Sequence, residues 1–167
     1  MQNWLERTEL LIGKEKLEKI KQSHVLVVGL GGVGAYAAEM LCRSGVGKLT
    51  IVDADTVHPS NLNRQLIALV STQGEAKAEI LAARLKDINP DIELNVINDY
   101  ICDEKTDALL NQADYDYVVD AIDTLAPKVN LIRMCIEKQL PLISSMGAGA
   151  KLDPSKIEVS DISTSHH

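Results

Sequence analysis

The run Val25-Leu26-Val27-Val28 leading into Gly29-Leu30-Gly31-Gly32-Val33-Gly34 constrains this chain more than any other part of it. Apolar strand formers followed by glycines spaced G-x-G-x-x-G, with a helix-forming stretch behind them, describe the first half of a βαβ unit. The first glycine allows the tight turn, the second lets the backbone approach a phosphate, and the third lets helix and strand pack closely. Gly32 adds a further position without a side chain. Backbone N–H groups at the head of the helix then face an anion.

A second apolar strand, Leu49-Thr50-Ile51-Val52, ends on Asp53-Ala54-Asp55. A carboxylate about 20 residues past the glycines can accept hydrogen bonds from ribose hydroxyls. Asp53 suits that role, and Asp55 suits either the same role or the turn that follows. So far the pattern serves NAD and ATP alike. Asn61, Arg64, Gln65 and Lys77 break the tie toward ATP, because they are phosphate-facing groups that a dinucleotide fold does not need. A forked guanidinium and a point ammonium suit a departing pyrophosphate, while the two amides hydrogen-bond phosphate oxygens without adding charge. Standing between Glu75 and Glu79, Lys77 also fits an exposed helix face.

The rest of the chain alternates strand with helix. Residues 5–21 read as two short amphipathic helices broken at Gly13, with Leu5, Leu10, Leu11, Leu17 and Ile20 apolar. Strands are expected at 24–28, 49–53, 93–97, 117–120 and 141–145, and helices at 32–44, 74–88, 103–112 and 126–138. Residues 59–70 form an irregular insert, and the alternation at 156–160 suggests an added antiparallel strand. Strands separated by helix-length segments imply right-handed crossovers and a mostly parallel sheet. The fold class is therefore α/β, doubly wound and Rossmann-like, with N-terminal helices. Residues 1–23 are a helical segment of the same domain, and 24–167 the nucleotide-binding domain.

Asp120-Ala121-Ile122-Asp123 closes the fourth strand beside the first, where the topology brings ligands. A carboxylate there can hold Mg2+ on phosphate oxygens. Asp123 is the better placed for this or for capping the next helix, while Asp120 can orient loop N–H groups. Gly147-Ala148-Gly149 ends the fifth strand on the same edge, as a close approach to substrate or a plain turn.

Composition removes several classes. At 167 residues with 46% hydrophobic residues, the chain is one domain with a sizeable core. No apolar run approaches the ~20 residues of a membrane span. The N-terminus lacks the marks of a signal peptide, so the expected location is cytoplasmic. A net charge of −7 argues against broad nucleic-acid affinity from this stretch. Cys42, Cys102 and Cys135 have no metal or disulfide spacing and are expected to be buried thiols. The histidines, including His166 and His167, show no ligand spacing either. A hydride-transfer enzyme would need a histidine, lysine or tyrosine facing a nicotinamide, and nothing after residue 77 offers one. A nucleotide-binding interaction module without catalysis is the further alternative.

Together, the glycine turn, Asp53-x-Asp55, Ser60-Asn61-Leu62-Asn63-Arg64-Gln65, Lys77 and Asp123 resemble the ThiF/MoeB/HesA adenylating family, the relatives of ubiquitin-activating enzymes. The resemblance covers essentially the whole chain. It implies ATP with Mg2+, ribose on Asp53, phosphates on Asn61, Arg64 and Lys77, and the metal on Asp123. It also implies a homodimer, in which Arg7 reaches the γ-phosphate held by the other subunit. Arg7 can otherwise stand as an exposed helix residue.

Within the family, three stretches are most similar to the tRNA threonylcarbamoyladenosine dehydratases. They are 7–13, 120–124 together with Pro127-Lys128, and 144–154. Activators of sulfur carriers typically read Asp-x-Thr-Asp-Asn where this chain reads Asp120-Ala121-Ile122-Asp123-Thr124. The implied reaction is ATP-dependent activation of the threonylcarbamoyl carboxylate on tRNA and its closure into a ring. The alternative is adenylation of the C-terminal Gly-Gly of a ubiquitin-like sulfur carrier. Such enzymes continue past residue 167, and the further part is expected to supply the rest of the substrate surface.

Overall fold

A computed structural model describes residues 4–164; His166 and His167 lie outside the described residues. Five strands, β1 (His24–Val28), β2 (Lys48–Val52), β3 (Glu93–Ile97), β4 (Tyr117–Asp120) and β5 (Leu142–Ser144), form one sheet in the order β3-β2-β1-β4-β5. Every pairing is parallel. The chain winds outward from β1 to β3, then returns to lay β4 on the other side of β1. That reversal opens a crevice at the carboxyl ends of β1 and β4.

Alternation along β1 divides the core in two. Val25 and Val27 face α3 (Gly34–Arg43) and α4 (Lys77–Ile88), packing with Ala38, Cys42, Leu81 and Leu85. Leu26 and Val28 face α5 (Asp103–Leu110) and α6 (Leu125–Glu137), packing with Leu109, Leu131 and Cys135. β1 is buried at every position, as a strand covered on both faces must be. Each fully buried leucine or isoleucine stabilises the fold by ~1.5–3 kcal/mol.

The N-terminal helices α1 (Glu6–Ile12) and α2 (Lys14–Gln22) break at Gly13, as expected, where φ is +85°. Leu5 and Leu17 are buried, and both lie against Gly45 at the far end of α3. Leu10 and Leu11, by contrast, are exposed.

Three expectations need correction. Residues 156–160 form no strand: residues 154–156 make a single 3-10 turn, and Ile157 and Val159 face solvent. Their alternation has no partner, because the edge strand β5 pairs only with β4 among the described residues. Cys102 is exposed, since it precedes α5 instead of lying on its packed face; Cys42 and Cys135 are buried. Finally, α4 starts at Lys77 and not near Gly74. Thr56 bridges Ala76, and Val57 exchanges backbone hydrogen bonds with Glu75 and Gly74; Gly74 stands in a turn at φ +84° and Ala76 is extended, so the helix cannot begin before Lys77.

Candidate active site

The first and third glycines of the turn are demanded by packing. Gly29 has φ +88°, and a Cβ on it would stand 2.6 Å from the Ala121 carbonyl oxygen. On Gly34 a Cβ would meet the Gly29 carbonyl oxygen at 1.7 Å. The middle pair is different. A Cβ on Gly31 would touch only Gln65 Nε2, at 3.6 Å, and one on Gly32 would touch only Arg64, at 3.5 Å or more. Both are ordinary contacts, so the protein itself does not require glycine there. Among the described residues nothing accepts a hydrogen bond from the N–H groups of Gly31, Gly32 or Val33. The result is a bare strip of backbone donors at the head of α3, the arrangement that receives an anion.

Asp53 ties this turn to β2. Its Oδ2 accepts from Leu30 N–H at 2.6 Å and its Oδ1 from Asp55 N–H at 2.8 Å. Burial holds its carboxyl above the ordinary carboxylate range, against those two N–H groups and Lys77. Each oxygen keeps a lone pair for the groove, which Asp53 lines. Asp55 is mostly exposed and pairs with Lys77 Nζ at 2.8 Å.

Lys77 does not lie on an exposed helix face. It opens α4 with its side chain 6% exposed and lines the groove. Its backbone N–H donates to the Asp55 carbonyl at 3.0 Å, which fixes the start of the helix beside the acidic turn.

The insert at 59–65 is organised by Asn61. Asn61 Oδ1 accepts from His58 N–H at 2.9 Å, and its carbonyl accepts from the N–H groups of Arg64 and Gln65. That presents Gln65 to the groove, buried, with Oε1 lacking a partner in the protein. Arg64 lays its stem against Gly32 and turns its guanidinium back onto the Ser60 carbonyl (2.9 Å) and Asn63 Oδ1 (3.0 Å). Arg64 is thus at the turn, but its charge is held by its own loop.

Across the groove stand Asp123, Thr124 and Pro127. Thr124 occupies the N-cap position of α6 without a side-chain cap bond, so Asp123 is not a helix cap. Asp123 is exposed, and among the described residues its carboxylate accepts a hydrogen bond from Thr124 Oγ1 alone, at 3.4 Å. Among the described residues no group of three or more His, Cys, Asp or Glu could hold a metal unaided. Gly147 and Gly149 border open space, so neither is required by packing. Arg7 is exposed on α1 and does not line this groove.

Two residues escaped the sequence reading. Tyr100, just past β3, lines the groove, which corrects the expectation that no tyrosine after residue 77 faces it; an aromatic beyond a strand's carboxyl end was the available signal. Lys128 sits on the buried stripe of α6 with Leu131, Ile132 and Cys135. A lysine at i with apolar residues at i+3, i+4 and i+7 was legible as a cation turned inward.

The ThiF family matches residues 5–163. This chain belongs to the ThiF family. It is 47% identical to the tRNA threonylcarbamoyladenosine dehydratase of Bacillus subtilis over 160 residues, 96% of this chain and 63% of that protein. To the molybdopterin-synthase adenylyltransferase of Escherichia coli it is 39% identical over 136 residues, 81% of this chain and 53% of that protein. A solved structure of E. coli tRNA N6-threonylcarbamoyladenosine dehydratase in complex with ATP superposes with a TM-score of 0.94 at 39% identity, covering 99% of this chain and 69% of that one. The chain spans about three fifths of the length of the dehydratases it matches. In this ThiF protein the glycine turn sits at the switch point of a parallel sheet. Among the described residues no helix is long and apolar enough to cross a membrane.

Proposed function

We propose that this chain is the ATP-binding part of an adenylating enzyme, a tRNA threonylcarbamoyladenosine dehydratase that works in the cytoplasm as a homodimer. One observation carries the reading: the unengaged N–H groups over Gly31 and Gly32, at glycines the packing does not require, beside the buried ammonium of Lys77. The resemblance at 120–124 and the dehydratase relatives favour the tRNA substrate over a sulfur carrier.

In this reading the ribose takes the free lone pairs of Asp53 and the phosphates lie along the glycine turn. Arg64 exchanges Ser60 and Asn63 for phosphate oxygens, a rotation its position on Gly32 permits. Gln65 completes the polar lining; Asn61, which does not line the groove, holds the loop that presents it. Asp123, an open carboxylate without an acidic cluster, fits Mg2+ shared with phosphate oxygens and water. When bound, that ion would neutralise charge on the phosphates.

A substrate carboxylate oxygen attacks the α-phosphorus, the bond to the β-phosphate oxygen breaks, and pyrophosphate leaves. A group within the same substrate then attacks the activated carbonyl. The ring closes and AMP leaves with the carboxylate oxygen, so the net change is loss of water. The protein supplies alignment and charge, and no protein nucleophile is needed. Lys77, freed from Asp55 by the phosphates, stands at the leaving group. Arg7 acts across the dimer, consistent with its place beside the exposed Leu10 and Leu11.

Pyrophosphate release by the full-length protein is the test, with threonylcarbamoyladenosine-bearing tRNA and a carrier ending in Gly-Gly offered separately; AMP follows only where the ring closes. Release driven only by the carrier would reassign the substrate. Selective binding of NAD would overturn the ATP assignment. Mixing Arg7→Ala with Asp123→Ala subunits should recover part of the activity, and no recovery would remove Arg7 from the neighbouring site.

A further inference from the structure

Lys128 is 7% exposed, in a layer where a lone ammonium would be strongly disfavoured. Its three donors meet three acceptors: Asp120 Oδ2 at 2.6 Å, Ser144 Oγ at 3.1 Å and the Ser145 carbonyl at 3.0 Å. Asp120 is fully buried. Its Oδ2 also accepts from the Ser144 hydroxyl at 2.6 Å, and its Oδ1 accepts from Ile122 N–H at 3.0 Å. Ser145 N–H closes the ring on the Asp120 carbonyl at 2.8 Å. One ammonium therefore joins the last residue of β4, the end of β5 and the first turn of α6. All of this lies at the carboxyl edge of the sheet.

Well-packed apolar residues often match or exceed a buried ion pair in stability, so stability alone does not explain this one. What the pair does fix is the direction in which the two strands leave the sheet. The exit of β4 rests directly on the glycine turn. Ala121's carbonyl oxygen crowds Gly29, and its Cβ lies 3.0 Å from where a Cβ on Gly34 would stand. Two residues further on is Asp123. The exit of β5 leads to Gly147-Ala148-Gly149 on the same edge. Lys128 itself does not line the groove.

We propose that Lys128 is a positioning residue. Through Asp120, Ser144 and Ser145 it holds the β4 and β5 exits at one spacing, so that Asp123 faces the glycine turn at the distance a shared metal–phosphate geometry requires. The proposal rests on the assignment of the groove to ATP and of Asp123 to Mg2+. Functional constellations need placement within about 0.5 Å, and a shift of about 1 Å can cost on the order of 100-fold in rate.

The test uses the full-length enzyme and two variants. One pairs Lys128→Met with Asp120→Asn, leaving no lone buried charge; the other is Ser144→Ala, which keeps the ion pair. Each is measured for melting temperature, ATP affinity in EDTA, the gain in ATP affinity on adding Mg2+, and kcat and KM for ATP. The paired variant should keep its metal-free ATP affinity within about twofold and lose most of the Mg2+ gain. Its kcat should fall by about 10- to 100-fold. Ser144→Ala should move the same quantities in the same direction by a few-fold, and it carries the test alone if the paired variant does not fold. A normal Mg2+ gain and normal kcat, whatever the melting temperature, would overturn the proposal and leave Lys128 as packing only. If the wild-type protein binds no ATP, the functional reading falls and takes the proposal with it.

Discussion

Replacing each glycine of the turn by alanine separates what the fold needs from what the ligand needs. In Gly34→Ala the new methyl meets the Gly29 carbonyl oxygen at 1.7 Å, half the 3.4 Å at which ordinary contact begins. Both groups are backbone, so the turn itself has to move. Overpacking of this kind costs ~3 kcal/mol or more, which the ~1 kcal/mol helix preference of alanine over glycine does not offset. The net loss of about 2 kcal/mol or more, at roughly 2–4 °C per kcal/mol for a protein of this size, should lower the melting temperature by at least about 4–8 °C. In Gly31→Ala the methyl finds only Gln65 Nε2, at 3.6 Å, and the backbone needs no positive φ. Stability should then change by no more than about 0.5 kcal/mol. The same methyl, however, stands where a phosphate oxygen would approach to the ~2.9 Å of an N–H···O bond. ATP affinity should fall by about tenfold or more, that is ~1.4 kcal/mol. Thermal melts and ATP titration of both variants read the two effects independently. A Gly31→Ala protein that binds ATP like the wild type would show that no phosphate lies on this strip. A Gly34→Ala protein that melts like the wild type would refute the packing argument.

Lys77→Met should abolish most turnover while lowering stability by less than about 1 kcal/mol, because its partner Asp55 is mostly exposed and rehydrates; a large loss of stability with normal turnover would contradict this. Burial raises the Cys135 thiol from 9.0 to about 11. Above pH 9 the unfolded chain therefore gives up a proton that the folded chain keeps, and stability should fall as pH rises from 9 to 11. A Cys135→Ala melt series should show a shallower limb, the remainder coming from Cys42 and Tyr115, which burial also raises. At pH 8 an alkylating reagent should label exposed Cys102 and spare Cys42 and Cys135 unless the protein is unfolded.

Much of this was local and so legible. Apolar strand runs, the G-x-G-x-x-G spacing and the acidic end of β2 are short-range patterns, and each dictates its own piece of backbone. They led directly to the parallel sheet and to the place where a nucleotide would lie. The ThiF resemblance rested on the same residues, Asn61 through Gln65 and Lys77 included. What escaped depends on partners distant in the chain. The alternation at 156–160 reads as a strand, yet a strand exists only if another offers its edge. From sequence Lys77 is phosphate-facing, with an exposed helix face as the alternative, and its ion pair with Asp55, 22 residues away, is the tertiary contact that turns it inward. The amino-acid pattern by itself determined the fold class, the glycine turn and the identity of the polar groups around it. Tertiary structure alone decided that Gly34 is compulsory while Gly31 is free, that Arg64 is held by its own loop, and that Lys128 bridges two strand ends. Those facts are set by distances of a few ångströms between segments up to 92 residues apart, such as Gly29 against Ala121 and His24 against Asp116, and chain order does not encode such distances until the strands pair.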